Sequence, residues 1–170
     1  AMTKEEIEGY GLRFDEDRYT RPFITDWTLD RIFHERAAEV KEMFLDRLDD
    51  ERYQMKPEYD TQRKVEAWYK GIKNEELRIK NENLRDGLYA LISDVLFLRD
   101  HKDPNKFHPR IGVQLDFIYE QLWDNDKYNF NRLYNDYFYR RNNQFWYQEA
   151  MKKMPKLTQA TRMLVCAEDL

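Results

Sequence analysis

Over residues 74–98 the apolar side chains fall on one face of a helix. Leu77, Leu84, Leu88, Leu91, Ile92, Val95 and Leu98 recur at helical intervals. A stripe of this kind needs another apolar face to bury against. The chain supplies two. From Asp26 onward, Trp27, Ile32, Phe33, Ala37, Val40, Phe44 and Leu48 repeat at three- to five-residue steps. Over 127–154 a third helix is marked by Phe130, Leu133, Tyr134, Tyr137, Phe138, Arg141, Phe145 and Ala150. Only 5 Gly and 5 Pro occur in 170 residues, which leaves little material for hairpins or long irregular loops. The expected fold is therefore mainly α, with five to seven helices.

Local signals divide these stretches. Thr3 and Glu6 form a capping-box pattern, and Gly9 and Gly11 end that turn. Residues 1–22 otherwise read as an irregular leader, and Ala1 before Met2 as an added residue. Thr25 or Asp26 can cap the next helix, and His34 marks a break within it. Residues 53–59, with Pro57, read as a loop or short extended piece. Asp60 or Thr61 opens a helix that Gly71 closes. Asn81 puts a polar residue into the 74–98 stripe, which places that turn at its solvent edge. Asp103-Pro104 and His108-Pro109 disfavour helix, so 99–109 reads as an extended linker. Helical pattern resumes at Leu115, Ile118, Tyr119 and Leu122, and Pro155 is placed to interrupt the last turn of the final helix. The organisation expected is a leader (1–22), a helical insertion (23–135), and a returning helix and strand (136–170).

Composition narrows the function classes. A net charge of -4 argues against non-specific nucleic-acid binding. Mean hydropathy of -0.99 and the lack of a long apolar run argue against a membrane span. Cys166 is the single cysteine and can form no internal disulfide, which fits a reducing, cytoplasmic compartment. Aromatic residues make up 15% of the chain, which suits an aromatic core and also surfaces that stack on sugar rings.

The end of the chain differs in kind. Met163-Leu164-Val165-Cys166-Ala167 is an unbroken apolar run between Arg162 and Glu168. Such a run reads as a strand buried on both faces of a parallel sheet. No second strand of that sort is present to satisfy its backbone. The run ends in Glu168-Asp169, and the carboxyl ends of barrel strands are where functional groups sit. A helix cap or a surface charge is the commoner account of a bare Glu-Asp pair.

Residues 163–170, Met-Leu-Val-Cys-Ala-Glu-Asp-Leu, resemble the motif around the general acid/base of the 4-alpha-glucanotransferases of the amylomaltase type, glycoside hydrolase family 77. Leu98-Arg99-Asp100, Asp103-Pro104, Lys106-Phe107-His108-Pro109-Arg110 and the Tyr-rich stretch 133–141 resemble that family's plant-cytosolic branch. That branch carries a long insertion between its nucleophile and its acid/base. The resemblance implies an internal piece of such an enzyme, with residues 163–170 forming a strand of a (β/α)8 barrel. It implies retaining transfer of α-1,4-glucan segments to an acceptor sugar, with no cofactor. Glu168 would be the acid/base. The family's nucleophile and its second catalytic Asp match nothing here, so the chain alone is expected to be inactive.

Other candidates are binding residues. Arg140, Asn143 and Trp146 offer amide, guanidinium and indole groups suited to a glucan. A solvated polar helix face is the simpler account of them. Tyr137, Phe138 and Phe145 read as core. His34, His101 and His108 lack ligand spacing, so no metal is expected; His101 and His108 more simply serve hydrogen bonding within the 99–109 segment. Cys166 reads as a buried strand residue. The alternative function is a free-standing helical protein-interaction module, and a nucleic-acid binder ranks last.

Overall fold

In the computed structural model, residues 1–160 and 162 are described. The 163–167 run and Glu168 lie outside them. Six helices of eight residues or more dominate, in keeping with a mainly α fold. The elements in order are β1 (Met2–Thr3), α1 (Lys4–Glu8), α2 (Glu16–Thr20), β2 (Ile24–Thr25), α3 (Asp26–Phe33), α4 (Ala37–Phe44), β3 (Leu45–Arg47), β4 (Arg52–Met55), α5 (Gln62–Lys70), α6 (Glu75–Lys80), α7 (Glu82–Ser93), β5 (Phe97–Arg99), β6 (Lys106–Pro109), α8 (Phe117–Glu120), α9 (Asp124–Tyr139) and α10 (Asn143–Gln159).

These elements bury two separate cores. One draws on residues 2–19 and 96–134, including Met2, Ile7, Phe14, Phe97, Phe107 and Phe130. Its rings meet edge to face: Phe14 lies 5.4 Å from Phe97, and Phe97 lies 5.6 Å from Phe130. The other is drawn entirely from residues 24–91, including Leu29, Val40, Phe44, Val65, Leu88 and Leu91. Each core carries a small antiparallel sheet, ordered β1-β6-β5 in the first lobe and β2-β4-β3 in the second. The second lobe is thus one continuous stretch set into the first. Trp27 and Phe117 pack edge to face between them at 6.1 Å, and Arg31 pairs with Glu120 at 3.4 Å.

Several expectations hold. Thr3 and Glu6 form the capping box, with Glu6 N donating to Thr3 Oγ1 at 3.2 Å. Thr25 caps α3 and Thr61 caps α5. His34 breaks the second helical stretch in a left-handed region, with φ 52°.

Others need correction. The leader is not irregular: it carries β1, α1 and α2, and Met2, Ile7, Leu12 and Phe14 are buried. The 74–98 helix is divided at Asn81, whose φ and ψ of -98° and 6° leave the helical basin. Asn81 Nδ2 donates to the Leu77 carbonyl at 2.9 Å, and Arg36 donates to Asn81 Oδ1 at 2.8 Å and to the Lys80 carbonyl at 3.2 Å. Side chains thereby satisfy groups that a continuous helix would have paired. Leu98 sits half exposed in β5 rather than on a helix. The 99–109 linker is the turn and second strand of the β5–β6 hairpin, because extended pre-proline residues suit a strand as well as a linker. The 127–154 helix is two helices, with Phe145 exposed rather than core. Pro155 sits inside α10, which continues to Gln159.

Candidate functional site

Of the predicted site residues, Arg140, Asn143 and Trp146 are described; Glu168 and Cys166 lie outside the described residues. The three meet where α9 gives way to α10. Arg140 ends α9 by leaving the helical basin, with φ and ψ of -130° and -45°. The Asp136 carbonyl still accepts from Arg140 N at 3.1 Å and from Arg141 N at 2.6 Å. Asn143 N then donates to the Arg140 carbonyl at 3.1 Å, and α10 begins.

The side chains around this junction are partly fixed. Arg140 reaches Asp136 Oδ1 at 3.3 Å. Tyr10 donates to Asp136 Oδ2 at 3.1 Å, and Arg141 donates to Glu6 Oε1 at 3.0 Å. These bonds anchor the end of α9 to the first turn of the chain. Asn143 and Trp146 are one turn apart and share a face of α10. Trp146 is 66% exposed, and its ring meets Phe145 at 5.6 Å. The surface offers donors, an amide acceptor and a flat apolar ring. No residue of α10 among those described is buried.

His108 sits beside this region with a structural task. Its Nε2 lies 2.7 Å from Asp100 Oδ2 and its Nδ1 lies 2.6 Å from the Tyr137 hydroxyl. The His108 bond, together with the Asp103 and Lys102 amides, holds the Asp100 carboxyl well below the usual carboxylate range. The chain of three ties the β5–β6 hairpin to α9. His108 thus serves hydrogen bonding, as its sequence context suggests. Among the described residues no group of three or more His, Cys, Asp or Glu is placed to hold a metal. No helix among them is long and apolar enough to cross a membrane.

Two groups escape sequence reasoning. Asp94 is almost fully buried, and burial pushes its carboxyl up to about 6. Trp123, immediately before α9, is 78% exposed. The tryptophan beside Asp124-Asn125-Asp126, at the start of a polar helix, is the signal that could have found it.

No family model matches the chain, and no solved structure matches it. Among curated proteins, the 4-alpha-glucanotransferase DPE2 of Oryza sativa subsp. japonica is 32% identical over 171 residues, covering 100% of this chain and 18% of that relative. The chain is similar along its whole length to a segment of that 4-alpha-glucanotransferase. The resemblance to 4-alpha-glucanotransferases is therefore borne out, and the chain spans less than a fifth of the relative's length. The two lobes and the exposed α10 form the described part of the matching segment.

Proposed function

We propose that this chain is part of a cytoplasmic 4-alpha-glucanotransferase that moves α-1,4-glucan segments to an acceptor sugar by a retaining double displacement. The observation that carries this reading is the similarity over the whole chain to a protein of that name. The 163–170 motif supports Glu168 as the group that protonates the leaving oxygen. The same carboxylate then takes the proton of the acceptor hydroxyl. The nucleophile would come from outside this segment, so the segment alone is inactive. Arg140, Asn143 and Trp146 serve as a secondary contact for the glucan, supported by their exposure at the α9–α10 junction.

Transfer from a maltooligosaccharide to a labelled acceptor, measured in the enzyme that contains this segment, tests the reading. Glu168→Gln should lower the rate by about 10²–10⁴. A variant that transfers at the parent rate would reject it.

A protein-binding role is the second reading, favoured by α10. Phe145, Trp146, Tyr147, Met151 and Leu157 are all roughly half exposed or more. Such a stripe is unusual on a free surface.

A further inference from the structure

At the opposite end of α9 from Arg140, about 24 Å away at 1.5 Å per residue, a second surface is shaped for a ligand. The segment leading into α2 and the start of α9 border a cleft with a volume of about 720 Å³. That lies within the roughly 300–1,000 Å³ of small-molecule sites. Arg13, Asp15, Arg18, Tyr19, Trp123 and Asp126 line it.

The walls are held in place. Phe14 and Tyr19 are buried in the first core. Asn129 Nδ2 donates to the Gly11 carbonyl at 3.1 Å, which pins the chain at a glycine with φ 88°. Asp15 caps α2 by accepting from Arg18 N at 3.1 Å. Against this fixed frame stands an exposed indole. Trp123 is 78% exposed. The Arg18 guanidinium, by contrast, lies over the Phe23 ring at 5.0 Å, with its Nε shielded from solvent.

The lining selects a class of ligand. Acidic residues outnumber basic ones five to three, so a phosphate or other anion is disfavoured. The polar walls disfavour a purely apolar ligand. A neutral sugar ring answers both features, since its hydroxyls both donate and accept while its C–H face lies flat on an indole. We infer that the Trp123 cleft binds a neutral oligosaccharide. The choice of α-1,4-glucan as that sugar rests on the transferase reading above.

Calorimetric titration of the 170-residue chain with maltoheptaose tests this. Trp123→Ala should weaken binding about tenfold or more, a loss of ~1.4 kcal/mol. Ile79→Ser, an exposed change in the other lobe, should leave it unaltered. If Trp123→Ala does not fold, the Trp123 indole N–H resonance in the unmodified chain decides, and it should shift on adding maltoheptaose. Unchanged affinity in Trp123→Ala, an unmoved resonance, or no binding of maltoheptaose by the unmodified chain would overturn the inference. Those results leave the transferase reading standing if Glu168→Gln abolishes transfer in the longer enzyme. Conversely, binding that depends on Trp123 stands even if the longer enzyme proves to transfer no glucan.

Discussion

Leu96 N donates to the Tyr19 carbonyl at 2.9 Å, so the chain leaves the second lobe beside the point where it entered. Everything between those residues builds a core of its own, drawn from 24–91. The first core closes around residues on either side. The lobes should therefore separate genetically. Replacing residues 22–93 with a short Gly-Ser linker should leave a first lobe that melts cooperatively. The loss is the Trp27–Phe117, Arg31–Glu120 and Arg52–Asp17 contacts and the packing of Phe23 on the first core, about 2–4 kcal/mol together. Thermal unfolding followed by circular dichroism checks it; a non-cooperative melt would show that the lobes depend on each other.

Inside the second lobe, α3 and α7 approach closely at Gly87. A methyl group there would clash with Phe33 Cε1 and meet Ile32 Cγ2 at 2.8 Å. Helix propensity favours Ala over Gly by about 1 kcal/mol, but the Phe33 ring is buried and cannot easily yield. Gly87→Ala should destabilise by about 1–3 kcal/mol despite that propensity. Urea denaturation gives the sign; a stabilised variant would mean that the helices can part freely.

Asp94 gives a pH signature. Its Oδ1 accepts from Ile118 N at 2.8 Å at the start of α8, while Oδ2 is buried with no partner among the described residues. Burial, aided by the nearby Asp116 charge, raises the carboxyl from 3.8 to about 6, against the pull of the Ile118 amide and Arg110. A raised acid binds its proton more tightly in the fold than in the unfolded chain. Asp94 therefore costs no stability below its ordinary value, costs progressively more as pH rises toward 6, and costs a constant amount above it. The cost at neutral pH is about 3 kcal/mol at 1.36 per pH unit. Asp94→Asn keeps an oxygen for the Ile118 amide and removes the charge. It should gain on the parent protein as pH rises from 4 to 7. Denaturation midpoints across that range measure it, and parallel curves for the two proteins would refute the assignment.

The helical lobes were legible in the sequence because their stripes are real: Leu84, Leu88 and Leu91 are buried together on α7. The caps were legible because Thr3, Thr25 and Thr61 act locally. The breaks were not. Asn81 ends α6 with help from Arg36, 45 residues away in sequence, and periodicity carries no trace of such a partner. Likewise, the β5–β6 hairpin is secured by His108 reaching Tyr137 on α9. The leader was underrated because Met2 gains its place only by pairing with Phe107 in β6. The candidate binding residues were legible as exposed groups, whereas Trp123 acquires meaning only once the segment before α2 forms a wall beside it.

The role given to Glu168 is tested most directly with a donor that needs no acid. Fluoride leaves a glycosyl carbon without protonation, and azide attacks without a base. In the enzyme containing this segment, Glu168→Gln should react with α-maltosyl fluoride, yield α-maltosyl azide when azide is added, and fail with maltooligosaccharide donors. A Glu168→Gln enzyme that uses maltooligosaccharides as well as the parent does, or that handles the fluoride no better, would contradict the account.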